Sequence, residues 1–292
     1  MNPIRNFIRF SRPHTVIGTI LSISSIFLLA GGGMDQFNIW LMTIIACLGA
    51  NIYIVGLNQL TDIEIDKVNK PHLPLASGVY SKKQGIVIIS ISVLFSLILG
   101  IIEGGYLLST LLISILIGSL YSLPPVRLKR FHFWAAFCII AIRGLVVNLL
   151  IYLHFSDRIQ NNTNLPYVIW LLTGVIFVYS IVIAWFKDIP DMAGDQEHQI
   201  KSLSISQGAD QVFRWGNMIL LFTLISVVIL ELIQPVSGSS QFLIAGHLIM
   251  AISLIIMWRR TDPKQKLAIK RYYLFIWALF FTEYILFGLS GI

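Results

Sequence analysis

The run GIVIISISVLFSLILGII, Gly85–Ile102, decides the fold, because it contains 18 consecutive residues without a charged side chain. An α-helix rises about 1.5 Å per residue. A run of this length can therefore cross the apolar core of a bilayer, which requires about 20 residues. A buried strand is much shorter, usually about 5 or 6 residues. The run predicts a transmembrane helix.

The composition of the whole chain agrees with a membrane protein. Of its 292 residues, 56% are hydrophobic and 12% are charged, whereas about 25% of the residues of a soluble domain are charged. This balance excludes a soluble globular protein, a disordered chain and a coiled coil. The two cysteines, Cys47 and Cys138, both lie in apolar runs, which argues against a disulfide scaffold or a cysteine metal site.

Apolar runs of similar length recur along the chain and predict an all-α, polytopic membrane protein with nine transmembrane helices. We expect these helices to form a single domain over residues 1–292, around a central cavity. The predicted spans are Thr15–Gly31, Ile39–Leu57, Gly85–Ile102, Tyr106–Leu123, Phe133–Leu153, Tyr167–Phe186, Trp215–Ile233, Phe242–Trp258 and Tyr272–Leu289.

The basic residues test this count. With nine spans, 19 of the 21 Lys and Arg residues lie on one side of the membrane, in the N-terminal tail and in the loops after the even-numbered spans. The other side has only Arg158, and Arg143 lies within the fifth span. Basic loops favour the cytoplasmic side, so the N-terminus and these four loops are predicted to be cytoplasmic. The net charge of +7 therefore reflects topology rather than nucleic-acid binding.

Acidic residues cluster in two of the basic loops, at about residues 58–84 and 187–214. The first loop opens with NQLTDIEID, in which Asn58, Asp62 and Asp66 follow one another at intervals of four residues. If the second helix continues past Leu57, these three side chains lie on nearly one face of it.

The second loop opens with KDIPDMAGD. Asp191 and Asp195 are again four residues apart, and Asp188 lies one turn earlier, beside Lys187. Asp191 follows Asp62 by 129 residues, and Asp195 follows Asp66 by the same number. The equal offset indicates a parallel internal repeat, in which the clusters face each other across the central cavity. The alternative is a solvated acidic rim.

Several carboxylates brought together repel one another unless a cation neutralises them. Mg²⁺ prefers oxygen ligands, uses few carboxylates and completes its shell with substrate phosphates. We therefore predict that the clusters hold Mg²⁺ and, with it, the diphosphate of a lipophilic substrate. Arg127 and Lys129, after the fourth span, and Lys187 would neutralise the remaining phosphate charge.

At these residues the chain resembles a known family. The NxxxDxxxD pattern of Asn58–Asp66 and the DxxxD pattern of Asp191–Asp195 resemble the two aspartate motifs of the UbiA-type intramembrane prenyltransferases. The longer run NQLTDIEIDKVNKPHLPLASG, Asn58–Gly78, is similar to the homogentisate phytyltransferase branch of that family, as are SRPHTVIGT at Ser11–Thr19 and KDIPD at Lys187–Asp191. The resemblance implies nine helices, the number that the apolar runs predict.

The resemblance also implies a mechanism in which the aspartates are catalytic because they hold two Mg²⁺ ions. The metals and nearby cations bind the diphosphate of an allylic prenyl donor and stabilise the charge that develops as it leaves. An electron-rich aromatic ring then attacks. With homogentisate, the reaction includes loss of CO₂ and gives a methyl-phytyl-benzoquinol for tocopherol (vitamin E) synthesis. The implied metal ligands are Asn58, Asp62 and Asp66 for one ion and Asp191 and Asp195 for the other, with Asp188 assisting either; the implied diphosphate-binding residues are Arg127, Lys129, Lys187 and Tyr121.

Further residues are candidates for binding the acceptor. Arg12 and His14 lie in a stretch that matches the family and could contact anionic homogentisate, although Arg12 also fits an ordinary membrane anchor. Arg143 lies within a span, where ions usually face a cavity, so we predict that it lines the pocket with Asn148. A packing pair between Arg143 and Glu283 in the ninth span is the alternative.

Other interpretations remain open at this point. Tyr121 also suits an interfacial aromatic belt. A secondary transporter binds coupling ions through carboxylates, although its sites usually lie near the bilayer midplane. Within the enzymes, the donor could be geranylgeranyl or solanesyl diphosphate, and the acceptor could be chlorophyllide.

The start of the chain bears on its location. The first span is too long for a cleavable signal, and no serine-rich transit segment precedes it. We therefore expect a bacterial protein, in a cyanobacterial thylakoid or plasma membrane, rather than a plant protein without its transit segment. The expected partners are the bilayer, a prenyl diphosphate and a small aromatic acid.

Overall fold

The structure is a computed structural model that describes residues 3–192, 203–236 and 239–291, without the side chains of Asn69, His132 and Asp191. These residues are almost entirely helical and contain no β-strand, which confirms the all-α class. The helices are α1 (Pro3–Phe10), α2 (Pro13–Leu29), α3 (Phe37–Thr61), α4 (Ile63–Asn69), α5 (Lys82–Glu103), α6 (Gly105–Ser122), α7 (His132–Ile140), α8 (Val147–Gln160), α9 (Tyr167–Asp188), α10 (Leu203–Gln207), α11 (Ala209–Ile233), α12 (Ser240–Arg260) and α13 (Lys266–Ser290).

Within the described residues, eight helices are long and apolar enough to cross a membrane, and counting the bent pair α1–α2 as one span makes nine. Each predicted span coincides with one of these helices. The pair bends by 70° because Pro13 disfavours a helical conformation at the preceding residue, and Arg12 there has a φ of 54°. The polytopic membrane architecture is thus confirmed.

The fifth span is longer than predicted. α7, a π-helical turn at Ala141–Val146 and α8 form one helical stretch that continues beyond the predicted end at Leu153. One of its polar residues is paired in the buried interior, since His154 Nε2 lies 2.9 Å from Thr43 Oγ1. Because the helix backbone satisfies its own hydrogen bonds, the helix continues where the apolar run ends.

The chain divides into two compact units. The first comprises Met1–Cys138 and Leu150–Thr163. Its central contact is between α3 and α5, where a Cβ at Gly49 would lie 2.8 Å from the carbonyl oxygen of Ser92. Ser96 Oγ also donates to the carbonyl of Ala46 at 2.7 Å. Close helix packing through small residues of this kind is common in membranes.

One apolar cluster of the first unit lies near the end of α3 and positions the first aspartate loop. Phe10, Leu57, Leu75 and Ile89 are buried together, and Leu60 and Ile63 pack against them. Leu60 and Ile63 flank Asp62 in the sequence. The backbone that carries Asp62 is therefore anchored on both sides.

The second unit comprises Ile139–Leu149 and Asn164–Ile292. Within it, α9 packs against α11 and α13. Phe186 of α9, Phe213 of α11 and Tyr272 of α13 form a cluster of aromatic rings with centroids 4.8 to 6.0 Å apart. The Tyr272 hydroxyl also donates to Asn217 Oδ1. These contacts join three of its spans.

Candidate active site

The three residues of the first motif lie where α3 passes into α4. α3 continues past Leu57 to Thr61, and Asp62 forms the junction with φ −118° and ψ 19°. The helical pattern is only locally disturbed, since the Asp66 N–H donates to the Asp62 carbonyl at 2.7 Å. Asn58, Asp62 and Asp66 were predicted to share one helix face if the second helix continued past Leu57. The helix does continue, as far as the junction at Asp62.

Asp62 is bound by two cations. Arg127 Nη2 donates to Asp62 Oδ1 at 2.8 Å, and Lys129 Nζ donates to Asp62 Oδ2 at 2.7 Å. Lys129 Nζ also donates to Thr61 Oγ1 at 2.8 Å. All three ionic side chains are largely shielded, with 11% to 24% of their surface exposed, so screening by solvent is weaker here than between exposed charges.

A tight loop after α6 presents both cations. Arg127 adopts a left-handed conformation with φ 39°, and a single 3₁₀ turn, Leu128–Arg130, follows it. The Arg127 N–H donates to the carbonyl of Leu123 at 2.7 Å. Left-handed backbone costs a residue other than glycine about 1–2 kcal/mol. Such a conformation persists only where the surroundings enforce it, which is common at functional sites.

Asp66 is almost fully buried, with 4% of its surface exposed. Its Oδ1 lies 3.9 Å from Lys70 Nζ, and its buried Oδ2 has no hydrogen-bond partner in the part of the chain that the structure describes. Burial raises the pKa of the Asp66 carboxyl, against the opposing effect of Lys70 and Arg12. Burial also lowers the pKa of the Lys129 amine, against the effect of Asp62. Both shifts reflect partly dehydrated charges.

Arg12 completes this group from the bend between α1 and α2. Its Nη2 donates to Asn58 Oδ1 at 3.4 Å. The aspartate–cation cluster thus contains two carboxylates and four cations, with two positive charges in excess. Its members are Arg12, Asn58, Asp62, Asp66, Lys70, Arg127 and Lys129.

The described residues contain no group of three His, Cys, Asp or Glu side chains placed to hold one metal. The first motif provides two carboxylates and one amide. Such a donor set suits Mg²⁺, which takes few protein ligands besides water and substrate oxygens. The unpartnered, buried Asp66 Oδ2 is an oxygen that a cation could satisfy.

The second motif is described only in part. Asp188 is the last residue of α9, and its Oδ1 lies 4.0 Å from Lys187 Nζ. A 3₁₀ turn, Ile189–Asp191, follows it, with Pro190 at its start. The side chain of Asp191 and the whole of Asp195 lie outside the described residues.

Two further candidates differ in burial. Tyr121 is partly buried in the last turn of α6, next to the loop that carries Arg127. His14 is exposed in the first turn of α2. The roles proposed for them from the family resemblance stay predictions.

The alternative pairing of Arg143 with Glu283 is wrong. The Arg143 guanidinium lies over two rings of α13, with Cζ 4.7 Å from the centroid of Trp277 and 5.5 Å from that of Phe280. Glu283 Oε2 instead lies 3.0 Å from His247 Nε2, and both side chains are fully buried. Among the described residues, Glu283 thus forms its ion pair with His247 and none with Arg143.

Asn148 is fully buried, and both ends of its amide are bonded. Its Nδ2 donates to the Gly144 carbonyl at 3.1 Å, and its Oδ1 accepts from the Tyr284 hydroxyl at 2.8 Å. Asn148 therefore joins α8 to α13 in the second unit. Its predicted role in lining the pocket stays a prediction.

Sequence analysis did not identify His247 as the partner of Glu283. His247 is a single histidine in an apolar run, without a neighbouring His or Cys that would indicate a ligand spacing. The only signal was its place in the span before that of Glu283. Side chains buried from adjacent spans can pair, but the sequence does not give their depth or direction.

Comparisons with known proteins agree with this architecture. The model of the UbiA prenyltransferase family matches residues 16–279. The chain is 42% identical over 303 residues to the homogentisate phytyltransferase of Synechocystis sp., covering 99% of this chain and 96% of the relative. It is 36% identical over 304 residues to the homogentisate geranylgeranyltransferase of Hordeum vulgare, covering 98% of this chain and 72% of the relative.

A solved structure shows the same fold. A UbiA homologue from Archaeoglobus fulgidus, bound to GPP and Mg²⁺, superposes with a TM-score of 0.66 at 18% identity, over 98% of this chain and 99% of the homologue. The helical architecture, the extent of the family match and the identity to full-length relatives agree. The chain therefore belongs to the UbiA prenyltransferase family and is an integral membrane prenyltransferase.

Proposed function

We propose that this enzyme transfers a phytyl group from phytyl diphosphate to homogentisate, with loss of CO₂, and so forms the methyl-phytyl-benzoquinol of tocopherol synthesis. The observation that carries the reaction type is the binding of Asp62 by Arg127 and Lys129 in a largely shielded group. The substrates are supported by identity to the Synechocystis relative, a homogentisate phytyltransferase, over nearly the whole of both chains.

The proposed reaction balances without an oxidant. The bond between C1 of the phytyl chain and the diphosphate oxygen breaks, and its electron pair leaves with the diphosphate. A ring carbon of homogentisate forms the new bond to C1 and then loses its proton. The carboxyl group leaves as CO₂, and its side-chain carbon takes up a proton to become the methyl group.

Arg127 and Lys129 are proposed to bind the leaving diphosphate. Both carry several N–H donors, and charged donors form short, strong hydrogen bonds to phosphate oxygens. In the structure, Asp62 holds both side chains in place. Prior placement of the donors matters because they then need no reorganisation when negative charge develops on the diphosphate. The excess positive charge of the aspartate–cation cluster favours an anionic ligand.

Mg²⁺ is the proposed cofactor. Asn58, Asp62 and Asp66 fit one ion by the chemistry of their oxygen donors, and Asp66 Oδ2 is buried without a partner among the described residues. We propose that Asp191 and Asp195 hold a second ion, with Asp188 assisting either ion. When bound, the metal supplies Lewis-acid stabilisation of the leaving diphosphate.

The proposed topology follows the basic residues. The N-terminus and both aspartate-rich loops lie on the cytoplasmic side, since basic loops are retained there. A cyanobacterial thylakoid or plasma membrane is the proposed location, which agrees with the Synechocystis relative. We expect protease cleavage of the loop after α4 in inside-out vesicles and protection of this loop in right-side-out vesicles.

A transfer assay on isolated membranes tests the function. The membranes receive Mg²⁺, phytyl diphosphate and carboxyl-labelled homogentisate, and the measured products are labelled CO₂ and the phytylated quinol. Asp62→Asn should abolish both products. Glu64→Gln is the matched control, because Glu64 is exposed and pairs with Lys67 outside the cluster, and it should retain wild-type activity.

The donor is tested in parallel. Geranylgeranyl diphosphate is included because the Hordeum relative is a homogentisate geranylgeranyltransferase. A higher kcat/KM with phytyl diphosphate supports the proposal. A higher kcat/KM with geranylgeranyl diphosphate would leave the prenyltransferase reaction intact and change the assigned donor. Transfer to chlorophyllide, without release of labelled CO₂ from homogentisate, would contradict the proposed acceptor.

A further inference from the structure

Arg143 is an intramembrane cation whose contacts are aromatic. Its guanidinium lies over the rings of Trp277 and Phe280, both of which are buried. Among the residues that the structure describes, the guanidinium forms no hydrogen bond and no ion pair. Ring faces attract a cation, but they leave the N–H edge of the guanidinium available. That edge carries five donors.

The N–H edge of Arg143 is not fully enclosed by protein atoms. The residue is only partly buried, and none of its nitrogen atoms is among the buried atoms that lack a partner. With a rise of about 1.5 Å per residue, Arg143 lies roughly 16 Å along the helix from His132. A charge at this depth is costly against lipid and almost always faces the protein interior or a water-filled cavity.

The local backbone holds Arg143 in this position. It lies in the π-helical turn Ala141–Val146, and such turns in α-helices frequently occur at functional sites. Gly144 allows close packing on α9, because a Cβ there would lie 3.1 Å from Cα of Phe177. The hydrogen bond from Tyr284 to Asn148 ties the next turn to α13, the helix that carries both rings.

The acidic residue of α13 does not serve as the partner, since Glu283 is paired with His247. A carboxylate matches the guanidinium edge, because the two can form parallel hydrogen bonds. A small aromatic acid provides this carboxylate together with a ring that suits the apolar surroundings of Trp277 and Phe280. Homogentisate, the acceptor under the proposed function, has this chemistry.

We propose that the guanidinium of Arg143 binds the carboxylate of the aromatic acceptor and selects acidic acceptors over neutral ones. The inference rests on the proposed function. Trp277 and Phe280 act as positioning residues, since they hold the plane of the guanidinium while its edge receives the ligand.

Steady-state kinetics test the inference. In Arg143→Gln, KM for homogentisate should rise about 10- to 100-fold, which corresponds to the loss of hydrogen bonds to a charged group. KM for phytyl diphosphate should stay within about threefold of wild type, because the inference places no contact between Arg143 and the prenyl donor. Arg143→Lys should be intermediate, because it keeps the charge and loses the planar fork. KM does not depend on the amount of folded enzyme, so partial misfolding does not mimic this result.

A neutral competitor provides the second measurement. Methylhydroquinone has the ring and hydroxyl groups of homogentisate but no carboxylate. The wild type should bind homogentisate more tightly than methylhydroquinone, and Arg143→Gln should remove this preference. Arg158→Gln is the control, because Arg158 pairs with Glu103 at 3.5 Å in the first unit, and it should keep the preference.

Two outcomes overturn the inference while leaving the proposed function intact. A rise of KM for phytyl diphosphate alone would assign Arg143 to the diphosphate. Unchanged KM values for both substrates, with a lower kcat, would assign it a structural role. If the wild type transfers no prenyl group to homogentisate, the proposed function fails, and the inference fails with it.

Discussion

Replacement of Arg127 by glycine separates the chemistry of its side chain from the strain of its backbone. The guanidinium donates to Asp62 at 2.8 Å, and the backbone has a φ of 39°. Hydrogen bonds to charged groups contribute about 1.5–3 kcal/mol. If Arg127 contacts the leaving diphosphate, Arg127→Gly should therefore lower kcat/KM by about 10- to 150-fold.

The same variant should retain its stability. Glycine adopts the left-handed conformation freely and so removes a strain of about 1–2 kcal/mol. Asp62 keeps its ion pair with Lys129, so loss of the bond to Arg127 costs about 1 kcal/mol net, which is similar to the strain removed. Arg127→Ala should lose as much activity as Arg127→Gly but be less stable by about 1 kcal/mol, because alanine keeps the strain.

Two measurements check this reasoning. Initial rates at varied phytyl diphosphate give kcat/KM, and thermal unfolding in detergent gives the relative stability of the two variants. Arg130→Ala is the control for removing a charge from the same loop, since Arg130 is exposed and three residues further along the chain. Retention of more than a third of the wild-type kcat/KM by Arg127→Gly would refute the role in diphosphate binding.

Three other predictions concern packing and the metal. His247→Leu leaves the carboxylate of Glu283 buried and unpaired, so the unfolding midpoint should fall by several degrees, for a cost of about 3–5 kcal/mol. Gly49→Ala should destabilise the protein by about 1–3 kcal/mol, because the new Cβ would lie 2.8 Å from the Ser92 carbonyl oxygen. Removal of divalent cations with EDTA should abolish transfer, and Mg²⁺ should restore it; Asp66→Asn should raise the Mg²⁺ concentration needed for half-maximal activity.

Each of these has a control. The double variant His247→Leu, Glu283→Met should recover part of the stability, and equal loss in the single and double variants would contradict the pairing argument. Gly174→Ala is the control for Gly49, because no neighbouring atom of the described residues would lie within 4 Å of the new Cβ, and it should be neutral or stabilising. Full activity in EDTA would show that transfer does not require a divalent metal. An unchanged Mg²⁺ requirement in Asp66→Asn would remove that residue from the ligands.

The span positions were predictable from the sequence because the length of an apolar run is a local property. The predicted span Gly85–Ile102 matches α5, Lys82–Glu103, to within three residues at each end. The predicted start at Trp215 was less accurate, since α11 begins at Ala209. A helix can extend beyond its apolar run through polar turns, because its backbone forms hydrogen bonds whatever the side chains are. The apolar run therefore does not mark the exact ends of the helix.

The candidate site was predictable only as a set of residue types. The spacing of Asn58, Asp62 and Asp66 is visible in the sequence, and so is the basic character of the loop after the fourth span. The sequence does not show that two cations of that loop both bind Asp62. Both cations lie more than 60 residues after Asp62 in the chain. Their pairing with Asp62 therefore depends on how the ends of α3 and α6 lie next to each other.

By itself, the sequence determined the membrane class, the positions of the spans and the family, because each depends on local hydrophobic length or on a short motif. Only the tertiary structure decided which charges pair. Arg143 contacts aromatic rings rather than Glu283, and Glu283 pairs with His247. In an apolar interior, a charge must find its partner within a few ångströms. Which partner lies within that distance is decided by the direction of each helix face and by the π-helical turn at Arg143.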